Sequence, residues 1–187
     1  MLKRIEEYGK YVEITGFRNI QVEDAKSFLN AFAKNEVATF GVQLYDADKV
    51  ATWQHLYFAA LNALMAFRTK HNISKSIAVE TVLFASAQRQ IKKALDLIGV
   101  KPETKNIAVM IIAESPKSAK LGLSTVSKLL GVEADEGVLD LSQEKIQKIK
   151  KAFEISIDEF ETFSSSDFEQ KLVDIVVERV ALLSTKI

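Results

Sequence analysis

The chain of 187 residues contains no cysteine and only two histidines, His55 and His71. Without cysteine it has no disulfide, no iron–sulfur cluster, no thiol nucleophile and no cysteine-ligated zinc. Two histidines are too few for a multi-histidine metal site within one chain. We therefore expect neither a metal ion nor another cofactor.

Long apolar runs and low-complexity linkers are also missing. No run reaches the roughly 18 residues of a membrane span, and the first residues lack the apolar stretch of a signal peptide. Glycine occurs seven times and proline twice, and 25 basic residues balance 25 acidic ones. We expect a soluble cytoplasmic protein whose residues 1–187 form a single domain.

What is present is regular hydrophobic patterning. Alternating or continuous apolar residues predict strands at residues 2–7, 11–17, 38–44 and 106–113. Amphipathic spacing and capping residues predict helices at 22–34, 49–69, 76–87, 88–98, 116–131, 142–153 and 166–183. This order predicts an α+β fold, with a mainly antiparallel sheet of about four strands packed with about seven or eight helices.

Signatures of common enzymes are absent, because the chain has no glycine-rich phosphate loop and no Gly-x-Ser-x-Gly motif. The carboxylates of Asp46 and Asp48 are interpreted as caps for the following helix. His55 is interpreted as a buried helix histidine that makes a hydrogen bond. An enzyme with a cleft near His55, Trp53 and Asp46 remains the last-ranked hypothesis.

Basic residues concentrate between residues 68 and 93, where six of them accompany one acid, Glu80. Arg89, Lys92 and Lys93 occupy i, i+3 and i+4 and are predicted to share one helical face. Such a face is either a phosphate-binding surface for nucleic acid or a solvated helix face. Both interpretations remain open at this point.

The last helix carries an apolar sector wider than packing on one sheet requires. Leu172, Ile175 and Val176 belong to it. Such a helix is either enclosed in the core or shares its surplus face with a partner protein, and the pattern does not separate the two.

Several segments in order resemble a known family. The chain contains Val-Ala-Thr-Trp-Gln-His at 50–55, Asn-Ile-Ser at 72–74, Ala-Ser-Ala-Gln-Arg-Gln-Ile at 85–91, and Val-Glu-Arg-Val-Ala-Leu at 177–182. With Glu80, Ala94 and Gly99 between them, these segments resemble the small kinase-binding subunit of the KEOPS complex, in its archaeal form. The resemblance spans nearly the whole chain and is densest from residue 46 to residue 99.

The resemblance implies a fold and a function. The family has an antiparallel sheet surrounded by helices. KEOPS installs threonylcarbamoyladenosine beside the anticodon of tRNAs that read codons starting with A. In that complex the subunit has no known catalytic activity, binds and stimulates a small atypical kinase/ATPase, and in archaea helps to capture tRNA through its single-stranded 3′ CCA end.

The resemblance also implies site residues. The tRNA role is carried onto the family motif, and charge alone adds three lysines, giving Gln88, Arg89, Gln90, Lys75, Lys92 and Lys93. His71 and Phe84 are candidates for base stacking, although core packing is the preferred interpretation of Phe84. The family often has glycine where this chain has Ala87, so a close backbone approach to RNA would be weakened here.

For the kinase, the residues expected to make contact are apolar positions of the fourth and last helices: Leu95, Ile98, Leu172, Ile175 and Val176. The alternative function is a stand-alone RNA-binding module that uses the basic segment Arg68–Lys93 and needs no kinase.

Overall fold

A computed structural model of the chain describes residues 1–20, 22–162 and 167–185. Its four strands are β1 (Leu2–Ile5), β2 (Lys10–Phe17), β3 (Thr39–Asp46) and β4 (Ile107–Ala113). They form one sheet in the order β1-β2-β4-β3, and every neighbouring pair is antiparallel. The predicted antiparallel sheet is confirmed.

The described residues also form eight α-helices, which confirms the predicted α+β class. These are α1 (Ala25–Ala33), α2 (Trp53–Thr69), α3 (Ile77–Ser86), α4 (Ile91–Ile98), α5 (Pro116–Leu130), α6 (Gln143–Ala152), α7 (Ile157–Thr162) and α8 (Phe168–Leu182). Short 3₁₀ turns precede β2 and α2, follow α8, and occupy Glu136–Leu139 between α5 and α6.

Strand β4 is covered on both faces, and all seven of its residues are buried. Ala108, Met110 and Ile112 belong to one apolar cluster with α2 and α3. Ile107, Val109 and Ile111, which point to the opposite face, belong to a second cluster with α1 and α5. The sheet is therefore the middle of three layers, with α2 and α3 on one side and α1 and α5 on the other.

The long helix α2 begins four residues later than predicted. A 3₁₀ turn occupies Ala47–Lys49, and the carboxylate of Asp46 accepts the backbone N–H of Asp48 there. Thr52 then caps α2 by accepting the backbone N–H of Gln54. The predicted cap is thus present, but it serves the 3₁₀ turn rather than α2.

The last helix is begun by Asp167, whose carboxylate accepts the backbone N–H groups of Glu169 and Gln170. Ser166, which the capping-box prediction included, lies outside the described residues. The side chains of Leu172, Ile175 and Val176 are completely buried against α6 and the segment before α2. These three residues of the apolar sector of α8 are therefore core, whereas Leu182 at the end of the helix is 43% exposed.

His55 joins three parts of the core. Its Nδ1 accepts the backbone N–H of Ala51 at 3.2 Å, and its Nε2 donates to the carbonyl of Ala85 at 2.7 Å. The ring of Phe153 meets the imidazole edge-on. Burial lowers the pKa of His55 to about 4, because a charged imidazole would lose its hydration there.

This geometry predicts that the protein loses stability as the pH falls from 6.5 toward 4. In that window the unfolded chain binds a proton at His55 and the folded chain does not, so stability falls by up to about 3 kcal/mol. Denaturant unfolding at constant ionic strength measures this slope. His55→Gln should flatten it, and His71→Gln, at an exposed position, should leave it unchanged. A slope that survives in His55→Gln contradicts the assignment.

Candidate functional site

The motif residues 88–90 form a turn between α3 and α4. Ala87 ends α3 in the left-handed conformation, with φ of 52°. Helix α4 begins at Ile91, with Gln90 at its N-cap position. The prediction that Arg89 shares a helical face with Lys92 and Lys93 is therefore wrong, because Arg89 precedes the helix.

Two cavities lie on either side of this turn. The first, here called the α2–α3 cavity, has a volume of about 260 Å³ and is lined by residues that include Met65, His71, Phe84, Arg89 and Leu183. The second, the α4–α8 cavity, has about 430 Å³ and is lined by residues that include Gln88, Lys93, Leu97, Arg179 and Leu182. The last turn of α8 thus borders the α4–α8 cavity, and the 3₁₀ turn that follows it borders the α2–α3 cavity.

The α2–α3 cavity brings together three residues chosen from the sequence. His71 and Arg89 are exposed, and Phe84 is almost completely buried, so it forms a wall of the cavity while it packs in the core. Apolar lining beside a cation and an imidazole is a combination that suits an unstacked base and its phosphate.

Glu80, quoted above only as part of the resemblance, lines this cavity as well and shapes the loop beside it. Its buried carboxylate accepts the backbone N–H of Ile73 at 3.1 Å and that of Ser74 at 2.7 Å. The loop that carries His71 is therefore tied to the first turn of α3. Sequence reasoning did not assign Glu80 a role. The signal that could have done so is that Glu80 is the one acid among the six basic residues of the segment 68–93.

Of the remaining predicted tRNA residues, two line the α4–α8 cavity and three line neither cavity. Gln88 and Lys93 line the α4–α8 cavity. Lys75, Gln90 and Lys92 are exposed but line neither cavity. The structure thus places Arg89 in one cavity and its neighbour Gln88 in the other.

Of the predicted kinase contacts, only Leu95 lies at the surface, where 42% of it is exposed. The other four are completely buried: Ile98, Leu172, Ile175 and Val176. These four side chains are part of the core, so a partner would touch their exposed neighbours. On α8 the exposed large apolar side chains are Phe168, at the start of the helix, and Leu182, at its end beside the α4–α8 cavity; they are 44% and 43% exposed.

Arg179, in the last turns of α8, lines the α4–α8 cavity. Its Nη2 donates to both carboxylate oxygens of Glu159, at 2.7 and 2.8 Å. Its Nε is buried and has no hydrogen-bond partner among the residues that the structure describes. Because this nitrogen is enclosed by the chain itself, an acceptor from outside cannot reach it, and it is an unmet donor of the interior.

The residues of the enzyme hypothesis do not converge. Asp46 lines a large cavity of about 810 Å³ together with Lys145, and Trp53 lines another. Both ring nitrogens of His55 are engaged by backbone groups in the interior. Lys145 donates to the carbonyls of Val138 and Asp140, and burial lowers its pKa to about 8.

Within residues 1–20, 22–162 and 167–185, no group of three or more histidine, aspartate or glutamate side chains is arranged to hold a metal ion. None of the helices in these ranges is long and apolar enough to cross a membrane.

The fold is a helix-covered antiparallel sheet of the α+β class, with two cavities beside the turn at residues 88–90. Residues 17–184 match the family described as kinase binding protein CGI-121, and the chain belongs to this family. The regulatory protein Cgi121 of Methanocaldococcus jannaschii is 31% identical over 154 residues, which cover 81% of this chain and 90% of that protein. This supports the kinase-binding regulatory role that the resemblance implied.

The left-handed conformation of Ala87 predicts that Ala87→Gly stabilises the fold. Relief of the left-handed strain outweighs the greater backbone entropy of glycine, with a net gain of about 0.5–1 kcal/mol. Thermal or denaturant unfolding measures the gain. The matched control Ala31→Gly, inside α1, should lose about 1 kcal/mol. Destabilisation by both changes contradicts this account of the family glycine.

Proposed function

We propose that the protein is the non-catalytic regulatory subunit of a KEOPS complex. In this role it binds and stimulates the atypical kinase/ATPase subunit and helps to recruit tRNA through its 3′ CCA end. Two observations support the proposal: membership of the kinase-binding family, and the meeting of His71, Phe84 and Arg89 in one cavity. The second observation carries the RNA part of the proposal.

The RNA end is proposed to bind in the α2–α3 cavity. A single-stranded terminus presents unstacked bases, which gain free energy by lying on aromatic or apolar walls. Met65 and Phe84 provide such walls, and Arg89 supplies a cation for the phosphate. Lys75, just beyond the loop held by Glu80, adds positive charge along the approach.

The kinase is proposed to dock over the α4–α8 cavity. Leu95 and Leu182 are exposed apolar side chains on the two helices that border it. The buried residues Ile98 and Leu172 support these helices from beneath.

The two surfaces adjoin each other, and this supports a regulatory role. Gln88 lines one cavity and Arg89 the other, and the same division holds for Leu182, the last residue of α8, and Leu183, the first residue of the 3₁₀ turn after it. RNA bound in the α2–α3 cavity therefore contacts the turn at residues 88–90 and the residues that follow α8, which adjoin the proposed kinase surface. Stimulation of the kinase would follow from this shared wall.

Disruption of the proposed kinase surface should weaken binding without unfolding the protein. We expect Leu182→Glu and Leu95→Glu each to raise the Kd for the cognate kinase at least tenfold, about 1.4 kcal/mol, because a charge replaces an apolar contact. Titration calorimetry measures this. The control is Leu129→Glu, since Leu129 is 39% exposed but lies on α5, and it should bind normally. Equal losses in all three variants would refute the location.

Removal of the proposed stacking and charge should weaken RNA binding selectively. We expect His71→Ala to raise the Kd for a CCA-ended tRNA by about fivefold or more through lost stacking. Arg89→Gln should make the slope of log K against log salt concentration shallower by about one, because one phosphate contact is lost. Fluorescence anisotropy at several salt concentrations measures both effects. The control is a tRNA without its CCA end, which should bind weakly and whose Kd should change with neither substitution. If both substitutions weaken the binding of this truncated tRNA as much as that of the intact tRNA, the proposed site is contradicted.

The alternative, a stand-alone RNA-binding module, is distinguished by the kinase titration. That function predicts intact RNA affinity together with no binding of the cognate kinase at micromolar concentration. Charge reversal at Arg89 and Lys92 that leaves RNA affinity unchanged would exclude it.

A further inference from the structure

A cavity of about 810 Å³, here called the α6 cavity, lies between α6 and the end of β3. The loop before β4 and the 3₁₀ turn Glu136–Leu139 complete its wall. Its volume is in the range of sites that take a small molecule. None of the residues proposed above to touch RNA or the kinase lines it, so this cavity has no part in the proposed function.

Lys145 is the buried cation of this cavity. It is 5% exposed, and its Nζ donates to the backbone carbonyls of Val138 at 3.0 Å and Asp140 at 3.3 Å. A lysine ammonium has three N–H donors, whereas the neutral amine has two and a lone pair. The two carbonyls therefore match the neutral amine, and the position of its lone pair is left to the cavity that Lys145 lines.

Burial makes the positive charge of Lys145 costly. Removal from water lowers its pKa to about 8, and the carboxylates of Asp48, Asp140 and Asp46 offset only part of this cost. Asp46 pairs with Lys49 at 3.2 Å rather than with Lys145. Roughly a tenth of the molecules then carry the neutral amine at pH 7, against fewer than about one in a thousand for an ordinary lysine.

The groups around Lys145 hold their charge near pH 8. Carboxylates are ionised at this pH, and His55, which lies near Lys145 on α2, is neutral because its pKa is about 4. Lys148 lines the same cavity one turn further along α6, where its ammonium donates to Asp48 at 2.8 Å and pairs with Glu144. These two carboxylates hold the pKa of Lys148 well above its usual range. Two lysines of one helix therefore differ in how readily they present a free amine.

We propose that Lys145 binds small uncharged aldehydes in the α6 cavity by forming an imine. The amine nitrogen attacks the carbonyl carbon, and one of its protons passes to the carbonyl oxygen. The second proton then leaves with that oxygen as water, and a C=N double bond remains. The step needs no oxidant or second reactant, so water reverses it.

The charges of the cavity favour an aldehyde over an acyl phosphate or another anion. Six basic and five acidic residues line the cavity, so as a whole it does not select an anion. Close to Lys145 the charged groups that act on it are carboxylates. A protonated imine carries the same positive charge as the ammonium that it replaces, so these carboxylates stabilise the adduct, whereas they would repel an anionic substrate or leaving group.

Reductive labelling of the full chain tests the proposal. Propanal and cyanoborohydride at low conversion add a propyl group wherever an imine forms, and peptide mass mapping gives the rate at each lysine. At pH 8 we expect Lys145 to react at least about tenfold faster than Lys148 and the exposed Lys92. Its rate should level off above about pH 8, whereas the rates of the other two should continue to rise. Equal rates, or a rate at Lys145 that rises in parallel with theirs, overturn the proposal.

A dextran aldehyde is the matched control for the cavity, because a polymer cannot enter it. It should modify Lys92 and leave Lys145 unmodified, and equal modification of both contradicts the site. Lys145→Met should abolish the fast reaction with propanal, and Lys148→Met should preserve it, with thermal unfolding to verify that each variant is folded. A fast reaction that survives in folded Lys145→Met contradicts the assignment. The parent chain supplies the main result, so the test does not depend on the folding of either variant.

Discussion

Burial of β4 on both faces is the constraint on which the rest of this structure depends. A strand whose seven residues are all enclosed needs helices above and below it, because neither face can be left to water. The backbone N–H and C=O groups of β4 form hydrogen bonds with its neighbours β2 and β3. Helix α3 packs against β3. A Cβ on Gly41 would lie 2.8 Å from Ile77, so the close approach of α3 depends on that glycine. This contact positions the start of α3, and the hydrogen bond from His55 to the carbonyl of Ala85 holds its end, just before the turn at residues 88–90.

Three buried polar side chains secure the segments around this framework, and each bonds to backbone groups. His55 ties the start of α2 to the end of α3, Glu80 ties a loop to α3, and Lys145 ties α6 to the preceding carbonyls. Backbone partners satisfy each group where it lies, which avoids the larger desolvation cost of burying two opposite charges. The loop beside the α2–α3 cavity is therefore held by hydrogen bonds from its backbone to Glu80.

The parts of the fold that sequence predicts well are those with a strong local signal. The apolar run of β4 and the limits of α5, set by Pro116 and Gly131, belong to this class. The position of Arg89 was mispredicted because a left-handed alanine at Ala87 ends α3, and alanine is a residue that ordinarily continues helices. Periodicity identified the apolar side of α8 but not what covers it, which is why Leu172 was expected at a partner's surface. The burial of Leu172 depends on α6 and on the segment before α2, which are distant in sequence, so the periodicity of α8 alone does not predict it.

The carboxylate of Glu80 has a kinetic consequence. It orders the loop that carries His71 when the chain folds, so the conformational entropy of that loop is already lost before any ligand arrives. A ligand entering the α2–α3 cavity then meets a finished surface, and its association rate should rise in simple proportion to its concentration, without a slow rearrangement step. The time a ligand stays bound would be decided by its own contacts with the cavity walls.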